Sequence, residues 1–256
     1  MTLLRVEDLH KTFGGVGAIQ DLTFSINPGT IHSIIGPNGA GKTTLFNLIT
    51  GLYEPTRGRI HFNDADITGQ PPHVLARHGL SRTFQNLQIF LNMSAMDNVM
   101  VGYHLRCDGR FLPSLFRFPS VVRKDAEYRE RAAALMAFVG LEDYVAADAS
   151  AMPYGALKRL EIARALAVQP KMLLLDEPAA GLNPSETLAI DGLIQKVAGR
   201  GVTVVLVEHD MRLVWAVSDH ILVLDHGRKL AEGTGPEVRS NPDVVAAYLG
   251  EGGRDR

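Results

Sequence analysis

The sequence is short of several features that mark large classes of protein: its 256 residues include one cysteine and carry almost no net charge. The single Cys107 excludes a disulfide within the chain and suits a reducing compartment, where we expect a buried or idle thiol rather than a nucleophile. A formal net charge of −2 lacks the clustered basic excess that duplex-binding proteins carry, so no nucleic-acid partner is expected.

Long hydrophobic runs are also missing. No apolar stretch reaches the roughly 18 to 20 residues that a membrane-spanning helix needs, and the first residues lack the apolar core of a secretion signal. We therefore expect a cytoplasmic protein that reaches a membrane only through a partner. A hydrophobic content of 46% is nevertheless enough to bury a substantial core.

One segment fits a phosphate-binding pattern at every fixed position. It follows an apolar run, Ile31–Ile35, that predicts a strand, and it matches G-x-x-x-x-G-K-[ST] as Gly36-Pro37-Asn38-Gly39-Ala40-Gly41-Lys42-Thr43. In this pattern backbone N–H groups converge on phosphate oxygens, Lys42 reaches the terminal phosphates, and the Thr43 hydroxyl ligates Mg²⁺. A helix is predicted from about Lys42 to Thr50, with Gly51 at its end. The sequence therefore predicts a nucleoside triphosphate site that comprises these eight residues and Thr44.

The order of strand and helix signals predicts an α/β fold. Short β-like runs at 4–9, 23–26, 31–35 and 59–62 fill the first sixty residues, while the continuously apolar runs 172–175 and 202–207 are typical of strands buried in a parallel sheet. Between them helical patterns dominate, including 95–105 after a Ser94 N-cap, 125–139, and later 185–198. We expect a P-loop NTPase core, a mixed sheet with flanking helices, with an antiparallel β-subdomain and an inserted helical lobe.

The expected boundaries follow from the same pattern. A single domain over 1–251 is predicted, with about 1–84 and 170–251 forming the core and β-subdomain, about 85–169 forming the helical lobe, and 252–256 a frayed tail. Within the lobe, Arg106–Pro119 mixes phenylalanine, proline and arginine. Either packing inside the lobe or a protein-contact surface explains that composition.

Two further strand ends carry candidate catalytic groups. The apolar run 172–175 ends in Asp176-Glu177, so Asp176 is predicted to face Mg²⁺ and Glu177 to polarise an attacking water; a solvated turn is the alternative. The run 202–207 ends in Glu208-His209-Asp210, which places His209 at the same sheet edge. A neutral imidazole there can hold the γ-phosphate or the water in line, although a purely structural histidine is the alternative.

Taken together, these residues resemble the nucleotide-binding subunit of ABC transporters, and the resemblance covers nearly the whole chain. It implies that Gln85, in Arg82-Thr83-Phe84-Gln85-Asn86, contacts Mg²⁺ and water and that its loop signals to the membrane domains. Phe13 stands where the family places an aromatic ring that stacks on adenine, with an ordinary core phenylalanine as the alternative. The implied activity is hydrolysis of ATP with Mg²⁺ as cofactor.

The resemblance is weakest at the family signature, Leu-Ser-Gly-Gly-Gln, where this chain has Met152-Pro153-Tyr154-Gly155-Ala156. Only Gly155 is retained, and Pro153 lacks both a hydroxyl and a backbone N–H. Because family members sandwich each ATP between one phosphate loop and the partner's signature, we expect an asymmetric pair in which a partner with a fuller signature completes this chain's site. Asn183, where an aspartate is usual, is expected to keep hydrogen bonding across that interface without the charge.

Several segments are similar to the larger ATP-binding subunit of branched-chain amino acid importers. These are Arg82–Asn86, Asn98–Gly102, Pro178–Pro184 and Val207–Met211. The resemblance implies two membrane permease subunits, a second ATP-binding subunit, a periplasmic solute-binding protein, and a position on the inner face of the plasma membrane. Urea and amide importers share much of this pattern, and a soluble ABC-type switch or a non-hydrolysing partner subunit are the other interpretations.

Overall fold

The computed structural model describes residues 2–104 and 119–251. Cys107, the frayed tail predicted at 252–256, and the segment from Arg106 up to residue 118 lie outside the described residues. The described chain divides into two compact units. The first, which we call the core unit, contains the residues up to Arg82 and from Lys171 onward; the second, the helical unit, runs from Thr83 to Pro170.

The core unit combines two sheets with short helices. Its strands are β1 Leu4–Phe13, β2 Val16–Ile26, β3 Ile31–Ile35, β4 Arg57–Phe62, β5 Ala65–Asp66, β6 Leu80–Arg82, β7 Met172–Asp176, β8 Thr203–Val207, β9 His220–Asp225 and β10 Arg228–Gly233. In chain order, its helices before the helical unit are α1 Lys42–Ile49 and α2 Pro72–His78. The helical unit contributes α3 Ala95–Gly102, α4 Pro119–Phe138 and α5 Tyr154–Ala167, and the core unit resumes with α6 Pro184–Ala198, α7 Met211–Val217, α8 Gly235–Ser240 and α9 Pro242–Glu251.

The larger sheet has six strands in the order β10-β9-β3-β8-β7-β6. Neighbours are parallel except β10, which pairs antiparallel with β9. Strands β3, β7 and β8 are buried along their whole length, which explains their unbroken apolar sequences. The mixed sheet and its helices confirm the predicted α/β class.

The smaller sheet is antiparallel, in the order β2-β1-β4-β5, and confirms the predicted β-subdomain. A two-residue turn at Asn63 and Asp64 joins β4 to β5. Both residues have positive φ, 50° and 64°, as is required for the backbone twist of such a turn to match that of the strands. Residues of this sheet, including Leu4 and Phe62, share one hydrophobic core with Leu45 and Phe46 of α1. The antiparallel sheet therefore supports the helix that follows the phosphate loop.

The predicted N-cap of α3 is confirmed: the Ser94 hydroxyl accepts the Asp97 N–H at 3.1 Å. Gly102, at the end of α3, lies so close to α5 that a Cβ would stand 2.4 Å from the Arg164 carbonyl oxygen. This contact fixes α3 against α5. In the part of the chain that the structure describes, no helix has the length and apolarity to cross a membrane.

Two features differ from the expectation. Strands β1 and β2 run to 10 and 11 residues, longer than predicted, because their outer ends form a hairpin with polar, partly exposed residues that carry no apolar pattern. Strands β5, β6, β9 and β10 were not predicted, and β5 and β6 have only two and three residues. The apolar part of β9 covers only Ile221–Leu224, a run too short to distinguish from part of a helix. Strand β10 lies at the sheet edge and has no buried residue.

Candidate active site

The phosphate loop lies between β3 and α1 in the core unit. Gly36 has φ 149°, and a Cβ there would stand 2.1 Å from the Leu224 carbonyl oxygen of β9. Gly41 has φ 102°, and its Cβ would stand 2.7 Å from the Ala18 carbonyl oxygen of β2. Both positions therefore require glycine, because a neighbouring carbonyl oxygen leaves no room for a Cβ and because φ is positive. The predicted helix after the loop is confirmed, and Gly51 follows its end with φ 70°.

The Lys42 side chain is buried and turns back into the loop. Its Nζ donates to the carbonyl oxygens of Gly36 at 2.6 Å and Pro37 at 2.9 Å. These bonds hold the positively charged ammonium group of Lys42 among the loop residues that the sequence pattern predicts to bind phosphate. Thr43 and Thr44 follow in the first turn of α1, and the positive end of this helix favours an anion.

The strand order brings the candidate groups to one sheet edge. Strand β8 separates β3 from β7, and Val207 of β8 pairs with both Ile34 and Asp176. Because the three strands are parallel, the loop that follows β3, Asp176 at the end of β7 and His209 after β8 leave the sheet on the same side. The core unit thus gathers Lys42, Asp176, Glu177 and His209, although Lys42 and Asp176 are 134 positions apart in the sequence.

Asp176 is buried in a polar cluster centred on Arg82. The Arg82 Nη2 donates to Asp176 Oδ2 at 2.8 Å. Its Nη1 donates to Asn47 Oδ1 of α1 at 2.6 Å and to Oγ1 of Thr50, the C-cap of α1, at 3.0 Å. The side chains of Arg82 and Asp176 are only 7% and 5% exposed. Arg82 therefore joins the end of β7 to the helix that carries Lys42 and Thr43.

Glu177 and His209 form a direct pair. The His209 Nε2 lies 2.8 Å from Glu177 Oε1, and the Glu177 backbone N–H donates to the Val207 carbonyl oxygen at 2.9 Å. Glu177 also has a φ of 49°, a conformation that costs energy for a residue with a Cβ. The fold holds this strained turn so that the carboxylate meets the imidazole, an arrangement that can accept a proton from water.

Glu208 has a supporting position that the sequence did not reveal. Its side chain is buried, Oε1 accepts the Ala179 N–H at 3.0 Å, and Oε2 accepts the His209 N–H at 3.0 Å. Glu208 thereby ties the segment after Glu177 to the residue that contacts Glu177. Its only sequence signal is an acidic residue directly after an apolar strand, and the same holds for Asp176.

Phe13 lies at the end of β1 and is 43% exposed, so it is not a core residue. The ring of Tyr53 meets it edge to face at 5.3 Å, and the Lys11 Nζ lies 4.9 Å from the Phe13 ring centroid. Lys11 is held there by donating to the Glu54 carbonyl oxygen at 2.7 Å. An exposed aromatic face that is supported on one side suits stacking on a planar base, and that role stays a prediction.

Gln85 and Gly155 belong to the helical unit. Gln85 is exposed in a segment without regular structure, while Gly155 is buried in the first turn of α5, after Pro153 as N-cap. The side chains of Pro153 and Tyr154 are the exposed ones in that turn. The contact of Gly155 with a phosphate stays a prediction.

Asn183 is the N-cap of α6. Its Oδ1 accepts the backbone N–H groups of Ser185 and Glu186, both at 3.0 Å, and its own N–H donates to Glu186 Oε2 at 3.0 Å. The acceptor that we expected to bond across an interface is thus used within its own helix. An aspartate or asparagine suits this position for capping alone.

Comparison with known proteins decides the family. A family model described as ABC transporter matches residues 19–180, more than half of the chain and including the phosphate loop and Glu177. The chain belongs to the ABC transporter family. A second model, described as branched-chain amino acid ATP-binding cassette transporter, matches residues 228–254. As a member of this family the chain is an ATPase, which confirms the resemblance and the predicted activity.

Individual ABC transporter proteins match along almost the full length. The chain is 45% identical over 250 residues to the high-affinity branched-chain amino acid transport ATP-binding protein BraF of Pseudomonas aeruginosa, covering 97% of this chain and 98% of that protein. It is 44% identical to LivG of Escherichia coli K12, a protein of the same description, with the same coverage. The crystal structure of an ABC transporter ATP-binding cassette in its ADP conformation matches with a TM-score of 0.85 and 36% identity, covering 98% of this chain and 99% of that one.

Proposed function

We propose that this chain is the ATP-hydrolysing subunit that powers an importer for branched-chain amino acids. The similarity over 97% of its length to two ATP-binding proteins of such transporters carries the proposal. The second family match, over residues 228–254, supports the same substrate class. The site geometry supports the hydrolytic half of the proposal, because the phosphate loop, two carboxylates and a histidine share one sheet edge.

ATP would be held by the loop Gly36–Thr43 with Thr44, and its adenine would stack on Phe13. The donor set also suits Mg²⁺, which prefers oxygen ligands and is usually held by one or two carboxylates together with substrate phosphates. Among the described residues no group of three or more His, Cys, Asp or Glu side chains could hold a metal by itself, in keeping with such a shared site. Thr43, Asp176 and Gln85 are the proposed protein ligands, and bound Mg²⁺ would neutralise charge on the phosphates.

Hydrolysis would use Glu177 as the general base. Its carboxylate accepts a proton from the water that attacks the γ-phosphorus, the bond to the β–γ bridging oxygen breaks, and ADP and phosphate leave. His209, 2.8 Å from Glu177 Oε1, keeps the carboxylate oriented toward that water. Lys42 stabilises charge on the phosphates after exchanging its bonds to the loop carbonyls for bonds to the nucleotide.

The proposed assembly contains two membrane permease subunits, a second ATP-binding subunit and, in the full system, a periplasmic solute-binding protein. This chain would lie on the inner face of the plasma membrane through the permeases. We propose an asymmetric pair of ATP-binding subunits, because Pro153 removes two donors from this chain's signature turn. Hydrolysis by the isolated chain, or by a homodimer of it, at the rate of the assembled transporter would contradict the asymmetry.

The test is uptake by the reconstituted transporter. The chain, co-expressed with its permeases and second ATP-binding subunit in vesicles, should drive ATP-dependent uptake of labelled leucine presented with the solute-binding protein. The matched control, Lys42→Ala in the same assembly, should abolish uptake. Uptake of urea or amides instead would place the chain with those importers, and recovery of ribosomes or DNA rather than permeases in a pull-down would favour a soluble switch.

A further inference from the structure

The segment that contains Gln85 is held by a buried carboxylate. Residues 83–90 form neither helix nor strand, and the side chains of Phe84, Gln85 and Asn86 are exposed. Because no helix or sheet supplies acceptors for the backbone N–H groups of such a segment, these groups need other hydrogen-bond partners. Two of them, those of Phe84 and Gln88, donate to Oε1 of Glu161 at 3.4 and 3.3 Å. The two bonds bracket Gln85 in the chain.

Glu161 lies in the middle of α5 and is only 3% exposed. Burial raises the pKa of its carboxyl group, and the two N–H donors and the charges of Lys158 and Arg164 oppose that rise. A carboxylate is costly at a buried helical position whose neighbours, Leu160 and Ile162, are apolar. An apolar residue would pack better at this position of α5. The presence of a charged side chain therefore indicates that its hydrogen bonds have a function.

A second buried side chain holds the other end of the same segment. Asn98 of α3 is fully buried; its Oδ1 accepts the Phe90 N–H at 2.9 Å and its Nδ2 donates to the Phe90 carbonyl oxygen at 3.0 Å. The segment is thus fastened at Phe90 to α3 and around Gln85 to α5. These two attachments can be tested separately.

We infer that Glu161 is a positioning residue that fixes the Gln85 segment to α5, the helix that begins at the signature turn. The inference rests on the proposed function, in which Gln85 contacts Mg²⁺ and the signature turn meets the partner's nucleotide. Glu161 lies seven residues, or about two helical turns, after Tyr154. Since a helix moves as a rigid element, a displacement of the signature turn would carry Glu161 and the segment bonded to it.

Amide hydrogen exchange on the isolated chain tests the attachment directly. In Glu161→Ala the Phe84 and Gln88 amides should exchange about 10-fold faster than in the wild type, as the loss of a hydrogen bond to a charged acceptor predicts. Glu161→Gln keeps a weaker, neutral acceptor and should show a smaller increase at the same two amides. The matched control is Arg159→Ala on the same helix, whose Nη1 donates to the Gly140 carbonyl oxygen at 2.8 Å; it should leave both amides unchanged.

The positioning role has a second readout in the assembled transporter. Glu161→Ala should lower kcat for ATP by about 10-fold or more with little change in KM, because misplacement of a group that acts during the reaction costs rate rather than binding. Glu161→Gln should recover part of kcat. Unchanged exchange at Phe84 and Gln88 in both variants would overturn the inference, and so would faster exchange with an unaltered kcat. If Glu161→Ala does not fold, the Glu161→Gln comparison alone decides between these outcomes.

The two hypotheses fail in different ways. A wild-type assembly that hydrolyses no ATP would refute the proposed function, whereas the exchange rates of the Phe84 and Gln88 amides would still refute or support the attachment by Glu161.

Discussion

Removal of the Arg82 guanidinium is the perturbation whose cost the structure defines most closely. Arg82→Met keeps much of the side chain's apolar length, so the change mainly deletes the charge and the hydrogen bonds of the guanidinium. The most important of these is the 2.8 Å bond from Nη2 to Asp176 Oδ2. Asp176 is also the proposed Mg²⁺ ligand, so the variant tests how the site is built.

The expected cost depends on burial. Ion pairs on the surface contribute about 0–1 kcal/mol, but the side chains of Arg82 and Asp176 are 7% and 5% exposed. Removal of one partner from a buried pair costs about 3–5 kcal/mol, since the other charge stays in a poorly hydrated place. We therefore expect Arg82→Met to lower the free energy of unfolding by about 3–5 kcal/mol. Most of that cost should disappear when the charge of Asp176 is removed as well.

The assay is urea denaturation of the wild type, Arg82→Met, Asp176→Asn and the double variant at pH 7. The double-mutant cycle should return a coupling free energy of at least about 2 kcal/mol, because the two side chains act as one unit. A cost for Arg82→Met of under about 1 kcal/mol would mean that the pair behaves like a surface pair. That result, or strict additivity in the cycle, would refute the argument.

Three further predictions concern other parts of the core unit. Glu177→Gln in the assembled transporter should bind Mg·ATP as the wild type does and lower the hydrolysis rate by about 10²–10⁴-fold, the usual loss for a general base, and a rate within tenfold of the wild type would contradict its role. Gly36→Ala should lose nucleotide affinity in a fluorescent-ATP titration, because its Cβ would stand 2.1 Å from the Leu224 carbonyl oxygen. Gly39→Ala is the milder control, because a Cβ there would meet nothing within 4 Å although φ is 78°. Equal losses of affinity in the two variants would count against the steric explanation. Burial lowers the pKa of His32 from 6.5 to about 4, so the unfolded chain takes up a proton at a higher pH than the folded chain does. The free energy of unfolding should therefore fall by about 3 kcal/mol through this group as pH falls from 6.5 to 4. His32→Leu should flatten that part of the stability curve measured by denaturation between pH 7 and 4, and an unchanged slope would show that His32 does not titrate as described.

Local patterns predicted the parts of the fold that depend on neighbours in the chain. The phosphate loop has a fixed spacing between Ile35 and Thr43, so both the strand before it and the helix after it followed from the sequence. Strands β7 and β8 are buried on both faces and therefore have unbroken apolar sequences. For the same reason the positions of Asp176 and His209 at one sheet edge could be predicted, since each follows such a strand.

Contacts between distant residues could not be predicted in this way. Arg82 and Asp176 are 94 residues apart, and the motif that contains Arg82 gives no sign of its partner. Glu161 and Glu208 look like ordinary surface acids in the sequence, yet both are buried and accept backbone N–H groups from other segments. Their burial results from the packing of whole elements, which neither periodicity nor spacing encodes.

The central claim is that the loop around Lys42 and the carboxylate of Asp176 belong to one Mg·ATP site. Calorimetric titration of ATP into the wild type, Lys42→Ala and Asp176→Asn, each with Mg²⁺ and with EDTA, tests it most directly. We predict that the wild type binds more tightly with Mg²⁺, that Lys42→Ala loses binding in both conditions, and that Asp176→Asn binds ATP with an affinity that no longer depends on Mg²⁺. Wild-type affinity in Lys42→Ala, or an undiminished Mg²⁺ dependence in Asp176→Asn, would contradict the account.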